Sequence, residues 1–334
     1  MKNTMVVLAA RPDGTPKPSD FKFVEGELPE LGEGQVRLKV EHLSIDAFIR
    51  TMLDGDEGAH HGTIGLEETP VIALGTARVV ESRFDGLNQG DAVFGPLGAQ
   101  SYATMPGEMY RKLEEDDIAP QTYLGALGMT TGLTAYTGMI NVGEVKADDV
   151  VVVSAAAGAV GSMACQIAKV KGATVIGIAG GPAKCDYLTQ DVGCDFAIDY
   201  KNDDIDAKLK EFAPEGVDLF FDNVGGELLD TVLDNLAMWG RVILCGAISQ
   251  YNDRANVRGP ALYLRIAERN ASMRGFTVDK YAEHFGQMEA DIKQWMNEGK
   301  VNLHEQVESG IESFPDALIM LFTGGHKGKL LVAP

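Results

Sequence analysis

No stretch of this 334-residue chain is apolar for long enough to cross a membrane. Its longest apolar runs, such as VVVSAAAGAV and RVILCGAI, stop far short of the roughly 20 residues a spanning helix needs. The opening MKNTMVVLAARPDG has no apolar run of signal-peptide length. Cysteine is scarce: Cys165, Cys185, Cys194 and Cys245 are scattered, form no CxxC pair, and leave residues 1–126 without a single thiol. That pattern excludes a disulfide framework and fits reduced, mostly buried thiols, so the expected location is cytoplasmic. Zinc is not expected either, because it needs closely spaced cysteines or three converging Cys, His or carboxylate ligands. His60 and His61 are adjacent, would point oppositely on a strand, and read as loop histidines. Positive charge is in deficit as well. With 29 Lys and Arg against 49 Asp and Glu, the net charge is −20, and a surface that acidic repels nucleic acid and anionic lipid.

What remains is an ordinary globular composition, 45% hydrophobic and 23% charged, on a chain long enough for two domains. Residues 1–126 read as β-rich with many turns. GQVRLKVEHLSI follows the turn signal GEG, TPVIALGTARVVES is a strand interrupted at Gly75, and GDAVFGPLGAQSYATM reads as strand, turn, strand. The glycine at 75 suggests a bulge or a close backbone approach. Short strands with Gly punctuation suggest a barrel-like domain. The polar, Gly-rich stretch from Gly55 to Gly65 reads as a mobile loop.

The texture changes after residue 126. VVVSA, TVIGIAG, FAIDY, VDLFFDNV and RVILCGAI are short β-branched runs, and SMACQIAKVKG and GELLDTVLDNLA are helical segments between them. Strands alternating with helices mean βαβ units and a doubly wound parallel sheet. Tyr281, Phe285, Met288, Ile292, Trp295 and Met296 form one apolar stripe at helical spacing, which reads as a helix packing on the core. The terminal KGKLLVAP reads as a strand that returns the chain to the first domain. The expected domains are therefore 1–126, an inserted 127–298, and a return over 299–334.

The strongest local signal is Ala156-Ala157-Gly158-Ala159-Val160-Gly161, an AxGxxG form of the dinucleotide fingerprint between a strand and a helix. Gly158 lets the backbone approach a pyrophosphate, Gly161 lets the helix pack tightly on the strand, and the helix N-terminus offers free N–H groups to phosphate. This partly answers how so acidic a protein holds an anionic ligand. The next strand usually ends in an acid when the ligand is NAD. Here it ends in Ala179, Gly180 and Gly181, with no acid before Asp186 and with Lys184 nearby, which favours NADP.

Taken together, LAARPDGTPKPSDF, GEGQVRLKVEHLSIDAFIR, LGMTTGLTAYTG, AAAGAVGSMACQIAKVKG, AGGPAKCDYL, FDNVGGELLDTVL, CGAISQYN and GKLLV resemble the medium-chain dehydrogenase/reductase superfamily. The similarity is to its zinc-free branch of prostaglandin, plant double-bond and curcumin reductases, over nearly the whole chain. The resemblance implies a GroES-like catalytic domain built from both chain ends around a Rossmann domain, as a homodimer. It implies NADPH-dependent reduction of a C=C bond next to a carbonyl in an enone or enal. It also assigns site residues. Ala157, Gly158, Ala159, Val160 and Gly161 would hold the pyrophosphate. Gly180, Lys184 and Tyr200 would surround the 2′-phosphate and its ribose. Asn223 would either contact the cofactor or bond turn backbone. Cys245, Gly246, Ala247, Ile248 and Ser249 would line the nicotinamide side, with Phe276, Thr277 and Val278 near its carboxamide. Tyr251, in SQYN, is the candidate donor to the substrate carbonyl oxygen.

Three departures from the branch stand out, the first in a segment that borders the substrate cleft in the family. SIDAFIR places Ala47 and Phe48 where relatives have Pro and Tyr, with Asp46 and Arg50 kept as an expected ion pair; LGMTTGLTAY is one residue longer; and His326 stands where relatives often have Asn near the nicotinamide. A quinone reductase of the same superfamily, and an NADPH-binding protein without turnover, stay open as alternatives.

Overall fold

Along β3 (Gln35–Ser44) the buried residues are Val36, Leu38, Val40, Leu43 and Ser44, mostly the alternation of a half-buried strand. In the computed structural model, which describes residues 2–55, 62–114, 118–253 and 256–334, this strand is central to the first of two units. The first unit comprises Met1–Leu124, Glu305–His326 and Leu330–Pro334, and the second Gly125–His304 and Lys327–Lys329. In the first, β1 (Lys2–Leu8) and β2 (Phe21–Glu27) form an antiparallel hairpin. β4 (Leu74–Ser82), β5 (Ala92–Pro96), β6 (Tyr102–Pro106), β7 (Arg111–Lys112), β14 (Glu305–Ser309) and β15 (Lys329–Ala333) join β3 in a sheet of order β14-β15-β3-β4-β5-β7, with β6 also on β3. Val6, Leu38, Val79, Val93, Phe314, Leu318 and Val332 share its core. At Gly75 a Cβ would lie 2.6 Å from the His42 carbonyl oxygen and 2.6 Å from Leu97 Cδ1, so the glycine in this strand marks a close approach. Of the expected mobile loop, 56–61, with His60 and His61, lie outside the described residues. Arg50 makes a buried ion pair with Asp54 at 2.6 Å, and Ser44 Oγ donates to Asp46.

The second unit contains β8 (Val150–Val153), β9 (Thr174–Ala179), β10 (Phe196–Asp199), β11 (Val217–Asp222), β12 (Leu236–Leu244) and β13 (Ser272–Gly275), in the order β10-β9-β8-β11-β12-β13. Every neighbouring pair is parallel. The strands are continuous apolar runs because helices cover a parallel sheet on both faces. Helices Ala159–Val170, Pro182–Tyr187, Ile205–Phe212 and Gly226–Asp234 provide the crossovers. Two consequences position the site. All six carboxyl ends lie along one rim, and strand order reverses beside β8, the first strand of the unit. Ligands of open α/β sheets bind at such a switch point, outside the carboxyl ends.

Met129–Leu133, within LGMTTGLTAY, forms a π-helical turn, a rare i→i+5 form. Gly132 is obligatory there, since a Cβ would lie 1.7 Å from the Ala126 carbonyl oxygen. The apolar stripe near the end divides. Tyr281 falls in a kinked 3-10 segment, Val278–His284, and the helix proper, Phe285–Asn297, buries Met288, Ile292 and Trp295. Among the described residues no helix is long and apolar enough to cross a membrane.

Candidate active site

The phosphate loop is built from the turn after β8. Ala155 takes φ +48°, the left-handed region that a non-glycine residue enters at a cost of about 1–3 kcal/mol. The turn is held by Ala156 N–H donating to the Ile178 carbonyl at 3.0 Å and Gly158 N–H to that of Ala155 at 3.0 Å. The helix begins at Ala159 with Gly158 extended before it, so the N–H groups of Ala159 and Val160 have no intrahelical acceptor. The two glycines differ. At Gly161 a Cβ would lie 2.3 Å from the Ala155 carbonyl oxygen and 2.8 Å from Ala156 Cα, whereas at Gly158 the nearest atom is 3.3 Å away. Gly161 is demanded by the protein's own packing. At Gly158 the Ala155 carbonyl oxygen is the one such atom within 4 Å, so the site is less crowded than Gly161, and Ala157 is buried.

Past β9, Gly181 takes φ +94° and donates its N–H to Asp199 Oδ1 at 2.7 Å. Asp199, at the end of β10, also accepts from Lys201 N–H at 3.0 Å and Asn202 Nδ2 at 2.6 Å. These donors, Gly181 foremost, hold its carboxyl below the usual range. The Tyr200 ring, 54% exposed, lies against Gly180, where a Cβ would come within 2.7 Å of Cε1. Lys184 is half-buried, and burial, then the neighbouring Lys201 and Lys327, pulls its ammonium below its ordinary value. Gly180, Lys184 and Tyr200 are thus gathered in one place, together with two lysines the sequence did not single out.

Beyond β11 the DNVGG segment is tied down by a buried carboxylate. Asp222 accepts from Ser154 Oγ at 2.9 Å, Val224 N–H at 2.9 Å and Gly225 N–H at 3.0 Å; burial nevertheless pushes it up. Asn223 Nδ2 donates to the Ser154 carbonyl at 2.8 Å, so the side-chain amide bonds backbone and Oδ1 is the atom left for a ligand. The segment after β12 is fastened to the same turn. Cys245 and Gly246 N–H donate to the Asp222 carbonyl at 2.9 and 3.1 Å, Ile248 N–H to that of Asn223 at 3.0 Å, and Ser249 Oγ to that of Val224 at 2.6 Å. Tyr251 then folds back, its hydroxyl accepting the Ala247 N–H at 3.3 Å beside Gly246. Burial raises this phenol above 10.0, with the Ala247 bond acting against it. It stays neutral at physiological pH, and because its oxygen accepts, its proton remains to be donated. Burial also pushes the Cys245 thiol up to about 12, followed by the Asp222 charge, so it packs and does not react. After β13, the Phe276 ring covers Gly138, where a Cβ would lie 3.0 Å from Cε1. Thr277 is extended, and Val278 opens the 3-10 segment. His326 belongs to the first unit.

The residue set on this rim fits a dinucleotide carrying an extra phosphate: a glycine beside free N–H groups, then a cluster of ammonium groups. Two family models match, one described as the N-terminal domain of oxidoreductase over residues 4–113 and one as zinc-binding dehydrogenase over residues 159–294. The NADPH-dependent curcumin reductase of Escherichia coli is 34% identical over 337 residues, covering 99% of this chain and 96% of that protein. The NADP(+)-dependent 2-alkenal reductase of Nicotiana tabacum is 36% identical over 338 residues, covering 99% and 97%. CurA from Vibrio vulnificus, solved in complex with NADPH, superposes with a TM-score of 0.93 at 35% identity, covering 99% and 98%. The chain belongs to the medium-chain dehydrogenase/reductase superfamily, in the branch of these reductases.

Among the described residues no three His, Cys, Asp or Glu side chains converge as a metal site would require. The residues that sequence reasoning missed are Ser154, Asp222, Lys201 and Lys327. Lys201 follows Tyr200 directly and was within reach of the same motif. Pairing Ser154 with Asp222 needs the knowledge that β8 and β11 are neighbours.

Proposed function

We propose that this protein reduces the C=C bond of α,β-unsaturated aldehydes and ketones with NADPH. The observation that carries the reading is the neutral phenol of Tyr251, fastened beside Gly246 on the same sheet rim as the phosphate loop. In this reading the free N–H groups of Ala159 and Val160 hold the pyrophosphate, with Gly158 allowing close approach. Gly180, Lys184 and Tyr200 take the adenosine ribose and its 2′-phosphate. Asn223 offers Oδ1, backbone from Cys245 to Ser249 shapes the nicotinamide side, and Phe276 to Val278 border it. Bound NADPH supplies a hydride to the β-carbon of the substrate. Charge then collects on the substrate's carbonyl oxygen, where the Tyr251 O–H meets it as a preorganised donor. Burial keeps that proton on the phenol, and the Ala247 N–H fixes the hydroxyl's position.

We also infer a homodimer. β13 is the outermost strand of its sheet, and the chain leading to it exposes Val257, Leu262, Tyr263 and Leu264, apolar surface that a second copy would cover. Four free cysteines support a reducing, cytoplasmic location. The test of function is initial rates with NADPH and NADH over alkenals, alkenones and benzoquinones. Turnover of enals and enones with a strong NADPH preference is expected. Oxidation by quinones alone would favour the quinone-reductase reading, and tight NADPH binding without turnover a binding protein.

A further inference from the structure

Three lysines from three distant parts of the sequence meet beside the turn at Gly180. Lys184 lies on the short helix Pro182–Tyr187. Lys201 follows β10, with its Cε 2.9 Å from the position of a Cβ on Gly180. Lys327 stands with Nζ 5.5 Å from the ring centroid of Tyr187, one helical turn from Lys184. The fields of Lys201 and Lys327 both reach Lys184 and disfavour its charge. In a chain with 49 acidic residues and 29 basic ones, a carboxylate would be the ordinary companion of each ammonium. Among the described residues, none of the three makes an ion pair. The Lys201 charge also reaches Asp199, but the mutual repulsion at Lys184 is unfavourable and a bound anion would relieve it.

Lys327 is not there by accident of a flexible tail. Gly328 N–H donates to the Ala157 carbonyl at 2.8 Å, and Gly328 bridges Gly158 of the phosphate loop in parallel. Lys329 N–H donates to the His304 carbonyl at 2.8 Å. Gly328 takes φ +63°, and a Cβ there would lie 2.1 Å from the His304 carbonyl oxygen, so only glycine permits this seating. The backbone on either side of Lys327's neighbour is therefore anchored to the loop proposed to hold the pyrophosphate.

We propose that the adenosine 2′-phosphate is read by three lysines, and that Lys327, delivered by the C-terminal return segment, is a specificity-determining residue for NADPH over NADH. The proposal rests on the cofactor reading above and extends it to Lys201 and Lys327. A ribose 2′-phosphate carries two charges near neutral pH, and three ammonium groups can surround it where one lysine gives a single contact. Tyr187 supplies the face against which the Lys327 stem and head are held.

Binding of NADPH, NADH, 2′,5′-ADP and 5′-AMP by isothermal titration to the whole protein and three variants tests this. Lys327→Gln should weaken NADPH and 2′,5′-ADP about tenfold while leaving NADH and 5′-AMP within about twofold, with the thermal midpoint unchanged. Lys327→Arg should retain most of the NADPH preference. Lys184→Ala is the control for the underlying reading. If Lys184→Ala loses the NADPH preference and Lys327→Gln keeps it, the role of Lys327 is refuted and the cofactor reading stands. If the wild-type protein does not distinguish 2′,5′-ADP from 5′-AMP, the cofactor reading itself fails. Equal weakening of all four ligands by Lys327→Gln would mean that the residue supports the loop and does not read phosphate.

Discussion

Replacing Tyr251 with Phe removes one oxygen from the site and leaves the ring in place. Two effects separate by magnitude. The hydroxyl accepts the Ala247 N–H at 3.3 Å, a long bond in a partly exposed place, so its loss should cost only about 0.5–1 kcal/mol of stability. For the reaction, the same change removes a donor aimed at charge that grows in the transition state, about 3 kcal/mol or ~100-fold in kcat. KM should change little, because an uncharged ground-state carbonyl gains much less from the same bond. Steady-state NADPH oxidation with an alkenone reads kcat and KM together, and thermal unfolding reads the stability cost. The pH profile adds an independent check. Burial raises the phenol above 10.0, so the donor is present below that pH and lost only beyond it; wild-type kcat should show no alkaline decline from this group up to about pH 10. A Tyr251→Phe enzyme within about threefold of wild-type kcat would refute the donor role, since no other effect of the substitution restores ~100-fold.

Gly161→Ala places a Cβ 2.3 Å from the Ala155 carbonyl oxygen, a clash with backbone that should cost about 1–3 kcal/mol and weaken NADPH and NADH alike, because the pyrophosphate is common to both; thermal unfolding and ligand titration check this, and unchanged binding would refute the loop's role. Alkaline stability has a definite sign. Folding pushes the thiols of Cys185 and Cys245 up from 9.0 to about 11 and about 12 and raises the phenols of Tyr110, Tyr136, Tyr187 and Tyr251 above 10.0. These groups release protons on unfolding, so their stabilisation is complete below about pH 8 and declines as pH rises past the unfolded values near 9 and 10. The urea midpoint should therefore fall between pH 8 and 10.5, and a flat profile would contradict the burial of these groups.

The second unit was legible in advance because its signals are local. A strand such as VVVV needs no partner to be recognised, and a glycine-punctuated turn before a helix states its own purpose. The parallel arrangement followed from the alternation of strands with helices, and with it the placing of nearly every candidate residue just past a strand's carboxyl end. Relations across the sheet were not legible. Asn223 stood between two readings, and what brought its amide to bonding the Ser154 carbonyl is the adjacency of β8 and β11. The tie from the Asp222 carboxylate to Ser154 Oγ and two turn N–H groups has the same origin. The need for glycine at 328 comes from the carbonyl of His304, a contact no spacing rule encodes. Lys327 escaped notice for the same reason, as its neighbours lie far away in sequence.

How an excess of negative charge coexists with an anion site turns on where the acids near the rim spend their charge. Asp199 and Asp222 are the two carboxylates at strand ends beside the proposed cofactor path. Asp199 accepts the N–H groups of Gly181, from the turn after β9, and of Lys201, and Asp222 those of Val224 and Gly225 in its own turn, so their lone pairs are directed onto donors that need them. Lys184, Lys201 and Lys327 make no ion pair among the described residues, although the Lys201 charge reaches Asp199 and the ammonium groups of Lys201 and Lys327 lie over the rings of Tyr200 and Tyr187. At physiological ionic strength charges more than ~8 Å away are largely screened, so the local balance outweighs the global sum for a ligand already at the loop. The net charge of −20 acts chiefly on approach. Close to the rim, Asp199 and Asp222 are already engaged by N–H donors, which leaves the lysine cluster as the group placed to meet an anion.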